Sequence, residues 1–328
     1  MERLPESNVS QMQAQRVQPE IAGFGAMKIG ENIISFMAHS WLEGDDATTL
    51  RMIDAMSRGE SHPIVEVVLN DATRVPMVVD TGAGPDVISP SLVDKLKLPL
   101  FDTGNQKMIV HGMGGEQQAF PGGLSKLRIG GALIHNTVVV VLTEQYRDYT
   151  LGIFRGPAVD NGILGLNSLG RFRWVTFDWR RRTMTFGRKG DYAPDAKKLA
   201  ETVPFTVEGG KLFVTAELGG LEKKESIKLM LDTGSDDYLM LPMTMAQKLE
   251  LFGNQWPPSG ERSITGLGGS YFGTPFVMPT VQVGKLRFIR VSGHTTPKSG
   301  LALMGNRMMR RYKTTFDFAH RQLIFEHP

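Results

Sequence analysis

Two segments place an acid after an apolar run and directly before a Thr-Gly turn: "MVVDTGAGPDVIS" (Met77 to Ser89) and "LMLDTGSDDYLML" (Leu229 to Leu241). A lone Asp in such a place commonly closes a turn through its own side chain. Here the preceding Met77-Val78-Val79 and Met230-Leu231 predict buried strands that carry Asp80 and Asp232 inward, where a charge is costly without partners. Gly82 and Gly234 let peptide N–H groups come close enough to hold the carboxylate oxygens, and the residues after them, Ala83 and Ser235, are small enough for a crowded site. If the two segments pair about a pseudo-twofold axis, the two carboxyls meet and share one proton. One is then a base for a water and the other an acid for a carbonyl oxygen, which suffices to hydrolyse an amide without metal, thiol or serine.

The elements that must position these acids repeat along the chain, and repeats are read before single elements. Asp232 follows Asp80 by 152 positions. "IVHGMGGEQ" is answered by "SITGLGGSY", with Ile264 following Val110 by 154 positions, and "LRIGG" by "VQVGK" at the same spacing. "GILGLNSL" is answered by "LALMGNRM", which aligns Ile163-Leu164-Gly165 with Leu303-Met304-Gly305. "VTFDWRRRTMTF" and "TTFDFAHRQLIF" close the series.

"PIVEVVLN" and "KLFVTAEL" alternate as half-buried strands do, the Gly-Gly clusters mark hairpin tips, and the FD segments read as late strands. Helix is confined to short candidates at Ser89–Leu98, Pro242–Leu251 and the turns after Gly165 and Gly305. The expected organisation is an N-terminal extension over 1–60, partly disordered with one helix, a first half over 61–190, an exposed linker over 191–204 and a second half over 205–328. Within the extension, "DDATTLRMIDAMSRG" (Asp45 to Gly59) is read as a packing helix with Leu50, Ile53 and Met56 on one face and Gly59 as its stop. A pro-segment covering the cleft is the alternative.

The composition excludes several classes. The 328 residues are 41% hydrophobic and 22% charged, enough for two cores, and there is no Cys, hence no thiol nucleophile, disulfide or thiolate metal site. The net charge of +3 requires no nucleic acid partner, and the arginines of "RFRWVTFDWRRR" fall near a strand turn. No metal is expected: none of the seven histidines makes an HExxH pattern, and a calcium loop starting at Asp232 would have Asp237 and Met243 where Gly and Glu are needed. No apolar run approaches a membrane span, and the polar N-terminus predicts a soluble, cytoplasmic chain without a leader, or an exported or periplasmic one if a leader was trimmed.

DTGA and DTGS after apolar strands, each followed by a Gly-rich hairpin and an apolar-apolar-Gly element, resemble the aspartic proteases, specifically the retropepsin-like group, over about residues 64 to 186 and 212 to 326. The chain looks like two such units fused, in the bilobal arrangement of pepsin. The resemblance implies a mainly β acid-protease fold of two homologous, closed barrel-like halves. It makes Asp80 and Asp232 the catalytic pair, Thr81 and Thr233 the braces beneath it, and Gly82 and Gly234 the loop glycines. Ser235 matches a serine that bonds a catalytic carboxylate, which Ala83 cannot do, so Asp232 is the expected ionised partner. The hairpins carrying His111, Gly112, Gly114 and Gly115, and Gly266, Gly268 and Gly269, map onto two flaps, neither with the flap tyrosine of pepsin. The implied activity is a cofactor-independent endopeptidase, monomeric because both loops lie in one chain, acting on peptide or protein substrates. A catalytically silent peptide-binding module on the same fold is the rival; "GPD" after Ala83 and Asp236-Asp237 after Ser235 depart from the pattern, and those two acids are expected to point to solvent.

Overall fold

The computed structural model describes residues 31–53, 62–101, 108–112, 115–143, 162–220, 222–252, 260–266, 269–296 and 301–328. The described part opens with a helix, Glu31–Ala38, and then runs β1 (Trp41–Gly44), β2 (Ala47–Arg51), β3 (Ile64–Leu69), β4 (Thr73–Val79), β5 (Asp86–Ile88), β6 (Met108–Gly112), β7 (Gly115–Ile129), β8 (Ala132–Leu142), β9 (Gly162–Leu164), β10 (Trp174–Asp178) and β11 (Thr183–Gly187). It continues as β12 (Leu199–Pro204), β13 (Thr206–Glu208), β14 (Lys211–Gly219), β15 (Lys224–Asp232), β16 (Leu239–Pro242), β17 (Arg262–Gly266), β18 (Gly269–Gly273), β19 (Pro275–Val283), β20 (Leu286–Thr296), β21 (Leu303–Gly305), β22 (Lys313–Asp317) and β23 (Gln322–Glu326).

The alternation in β3 and β14 turns one row of side chains inward, and two closed barrels result. Strands β8-β5-β9-β4-β3-β7 close when β7 pairs back to β8, and β14-β15-β21-β16-β20-β19 close when β19 pairs back to β14. The fold is therefore mainly β, as expected, with a barrel-like half on either side. Their registers correspond: Val79 lies beside Leu164 in parallel β4 and β9, and Leu231 beside Met304 in β15 and β21. Non-glycine residues with left-handed backbone also recur at matching places, Asn136 and Arg290 at φ 52° and 50°, and Arg182 and Arg321 at 55° and 54°. That conformation is uncommon for a residue with a Cβ, so its recurrence reflects the same backbone path in both halves.

A third sheet, β12-β23-β22-β10-β11-β2, joins the barrels. At its centre β10 pairs antiparallel with β22, so that Thr176 faces Thr315 and their hydroxyls meet at 2.7 Å. These threonines hold matching places in the two FD segments, so the sheet brings like positions together at its centre. Phe177 and its counterpart Phe316 pack edge to face across the same seam, ring centroids 5.6 Å apart, and both barrels drain into one continuous core. Burying each such aromatic or aliphatic side chain stabilises the fold by about 1.5–3 kcal/mol.

The short helices fall where the sequence puts them, at Val93–Leu96, Met243–Lys248, Leu166–Leu169 and Asn306–Met309. The packing helix read over Asp45 to Gly59 is overturned: Ala47–Arg51 is strand β2, an edge of the joining sheet paired with β11. Thr48 and Thr49 are β-branched and sit well on a pleated surface, and β11 offers an open edge to pair with, so tertiary pairing overrides the helical spacing of Leu50 and Ile53. Residues 54–61 lie outside the described residues. The helix of this region is instead Glu31–Ala38, whose Ile33, Phe36 and Met37 pack with Val138 and Val140 of β8. The end of the expected linker is also a strand: β12 pairs with β23 as β2 does with β11, and the two edges are equivalent.

Candidate active site

Each acid is delivered by the buried strand predicted to carry it. Met77, Val79, Met230 and Leu231 are all buried, and Asp80 and Asp232 follow at the ends of β4 and β15. The apolar-apolar-Gly elements fix the loops from behind. Asp80 N–H donates to Leu164 O at 2.9 Å and Leu166 N–H to Ala83 O at 2.9 Å; in the second half Asn306 N–H donates to Ser235 O at 2.9 Å. Gly165 and Gly305 are required there, because a Cβ on either would stand 2.3 Å from a loop carbonyl, that of Pro85 or Asp237.

The two loops grip each other through their threonines. Thr81 Oγ1 donates to Leu231 O at 2.9 Å and accepts from Thr233 N–H at 3.1 Å, while Thr233 Oγ1 donates to Val79 O at 2.8 Å and accepts from Thr81 N–H at 3.0 Å. All four groups are buried, so Thr81→Val, which keeps the volume and removes the hydroxyl, strands one N–H and one carbonyl. The expected loss is about 2–4 kcal/mol in urea unfolding, against less than about 1.5 kcal/mol for Thr81→Ser, which keeps the hydroxyl.

Above this brace the carboxyls face each other. A Cβ on Gly82 would stand 2.5 Å from Asp232 Cγ, and one on Gly234 would stand 2.3 Å from Asp80 Cγ, so each acid rests over the glycine of the opposite loop. Asp80 Oδ1 accepts Gly82 N–H at 2.7 Å and Ala83 N–H at 3.2 Å, whereas Asp232 Oδ1 accepts a single N–H, that of Ser235 at 2.9 Å. Burial, then the charge of Asp80 and the hydrogen bond with it, hold the Asp232 carboxyl well above the usual range; the Lys211 cation and the Ser235 N–H offset this only in part.

These facts bear against the expected asymmetry. The Ser235 hydroxyl contacts Met240 Sδ at 3.8 Å, and the raised Asp232 carboxyl does not favour its being the ionised partner.

Both neighbouring acids have partners, although the Asp237 side chain stays 35% exposed. Asp236 is held by both ends of the Arg307 fork, at 3.2 and 2.9 Å, and Asp237 pairs with Nδ1 of the buried His294 at 3.3 Å. His294 Nε2 lies 3.4 Å from the Tyr271 hydroxyl on β18, so a polar chain runs from the Asp232 loop to the second hairpin. Burial, with Asp237 nearby, pushes the Tyr271 phenol up, which keeps it a donor. In "GPD", Asp86 turns away from the cleft into the first barrel, where it accepts Gly165 N–H, Asn167 Nδ2 and Ser168 Oγ.

Both Gly-rich hairpins form, β6–β7 and β17–β18, and β18 lies against β7. His111 pairs with Glu116 at 3.2 Å across the first, and Gly112, Gly115, Gly266 and Gly269 flank the tips. Gly114 and Gly268 lie outside the described residues. Sequence reasoning did not find Lys211, His294 or Tyr271 at the site. Lys211 belongs to the "KLFVTAEL" strand, and its Nζ donates to Gly82 O at 2.8 Å. Nothing in its local pattern distinguishes it from a solvated lysine.

A family model described as Aspartyl protease matches residues 65–168. The match supports an aspartyl protease family and a protease function in general. No curated protein matches the chain. Among the described residues no helix is long and apolar enough to cross a membrane.

Proposed function

We propose that the chain is an aspartic endopeptidase in which two retropepsin-like units, fused in one polypeptide, supply one carboxyl each to a single active site. The observation that carries this reading is the placement of Asp80 and Asp232 on opposite loops, each over the other's glycine, with the threonine brace beneath. A family-model match confined to residues 65–168 covers the first unit, and the matching registers and loop contacts support the same role for the second.

The chemistry follows from the different settings of the two acids. Asp80 takes a proton from a water as its oxygen attacks the peptide carbonyl carbon, and Asp232 gives its proton to the carbonyl oxygen, leaving a neutral gem-diol. Asp80 then returns its proton to the amide nitrogen as the C–N bond breaks, and one diol proton passes back to Asp232. The dyad is restored and one water has been consumed. No step calls for a metal. The hairpins β6–β7 and β17–β18 serve as two flaps that exclude bulk water over an extended peptide.

Incubating the purified protein with an unfolded polypeptide over a range of pH tests the proposal. Cleavage that withstands EDTA and is blocked by a statine-type peptide, whose tetrahedral hydroxyl carbon imitates the diol, is the expected result. Tight binding of one peptide with no cleavage at any pH would favour the silent binding module instead.

A further inference from the structure

Lys211 opens β14 in the second half, yet its Nζ hydrogen-bonds to the Gly82 carbonyl in the first half's catalytic loop. Gly82 lies directly beneath the Asp232 carboxyl, as the 2.5 Å approach of an added Cβ shows. A half-buried ammonium is therefore fixed beside the Asp232 loop contact, with its position set by a carbonyl across the seam between the halves. The two charges that bear most on Asp232 are those of Asp80, from the facing loop, and Lys211, from β14.

The other half carries no lysine at the matching place. Val78 pairs with Ile64 and Met230 with Phe213, so the residue equivalent to Lys211 is His62, whose Nδ1 is buried with no hydrogen-bond partner. One permanent charge thus breaks the twofold symmetry of the site.

We propose that Lys211 is a positioning residue that pins the Gly82 loop across the seam and, through its charge, sets the pH range in which Asp80 and Asp232 share a single proton. The role rests on the dyad reading above. A cation favours the ionised form of a nearby carboxyl, so removing it makes both protons of the pair harder to lose. The active window of the pair then moves to higher pH.

The test is the pH profile of kcat/KM for the parent, Lys211→Met, Lys211→Gln and Lys211→Arg. Both neutral variants are expected to shift the acidic and basic limbs upward by about one pH unit, as loss of an opposite charge within several ångströms does, with Lys211→Arg leaving them near the parental positions. Limbs that stay in place while the rate falls, or an Arg variant that behaves like Met, would overturn the charge-setting role. A 13Cγ-aspartate NMR titration, with the Asp232 signal assigned through Asp232→Asn, reads the same effect without turnover. If the Asp232 midpoint rises in Lys211→Met while the parent cleaves nothing, the endopeptidase reading fails and the role of Lys211 stands. An unmoved midpoint sinks the role of Lys211 even in an active enzyme.

Discussion

Asp80→Asn and Asp232→Asn are each expected to lower kcat/KM on an unfolded polypeptide by about a thousandfold or more, since a positioned acid or base supplies up to that factor and members of a unit fail together. An amide of the same shape keeps an oxygen to accept Gly82 N–H or Ser235 N–H, so the loops have no reason to open. It can neither take a proton from water nor carry the shared one. Folding stability should hold or rise, because removing one of two facing carboxyls relieves the repulsion that raises Asp232. Thermal unfolding beside the rate assay separates lost chemistry from lost structure. An Asn variant that cleaves as fast as its parent would remove that residue from the reaction.

Asp86→Ala is expected to have the largest effect on stability, a loss of about 3–5 kcal/mol in denaturant unfolding, because it strips a buried acceptor from several donors at once. Gly165 N–H at 2.9 Å, Asn167 Nδ2 at 3.0 Å and Ser168 Oγ at 2.7 Å would lose it together. Those donors belong to the segment that follows Ile163-Leu164-Gly165 and backs the Asp80 loop, so activity should fall as well.

The pH dependence has a definite sign. Burial outweighs the bonds from Ser168, Gly165 and Asn167 and pushes the Asp86 carboxyl up to about 6. A carboxyl raised above its unfolded value of about 3.9 binds its proton more tightly in the folded chain, so its contribution to stability falls as pH rises from about 4 to about 6. Relative to Asp86→Asn, which carries no such titration, the parent should lose about 3 kcal/mol across that interval. The cost of Asp86→Ala should accordingly be greater at pH about 4 than at pH about 7. A parent-minus-Asn difference that stays flat across this range would refute the assignment.

The same place in the two barrels carries different side chains on matching strands. Where the first half sets Asp86 near Arg171, the second sets Tyr238 beneath Arg311, whose guanidinium carbon stands 5.5 Å from the ring centroid. A buried carboxyl that accepts from Ser168 of the following helix in one barrel corresponds to an aromatic ring under a guanidinium in the other.

What the sequence disclosed and what it concealed follow from the range of the interactions. The apolar runs before Asp80 and Asp232, the alternation in β3 and β14, and the glycines behind each loop are local patterns, and their repetition in order located both acids and the elements around them. Strand β2 was misread because Leu50 and Ile53 carry helical spacing, whereas the edge of β11 that recruits Ala47–Arg51 lies far along the chain. Lys211, His294 and Tyr271 look ordinary in their own strands. They reach the site only when the barrels close and the halves meet, as the 2.8 Å contact of Lys211 with Gly82 O illustrates. Asp86 appeared as a departure from the family pattern beside the site, and its role became clear only from the donors that surround it.

The central claim is that Asp80 and Asp232 act as one unit, and the most direct test is the rate of the double variant Asp80→Asn/Asp232→Asn against the two single variants on the same unfolded polypeptide. The account predicts that each single variant is already as inactive as the double, because half a dyad cannot share a proton. Single-variant losses that multiply in the double variant, or a single variant that retains parental activity, would contradict it.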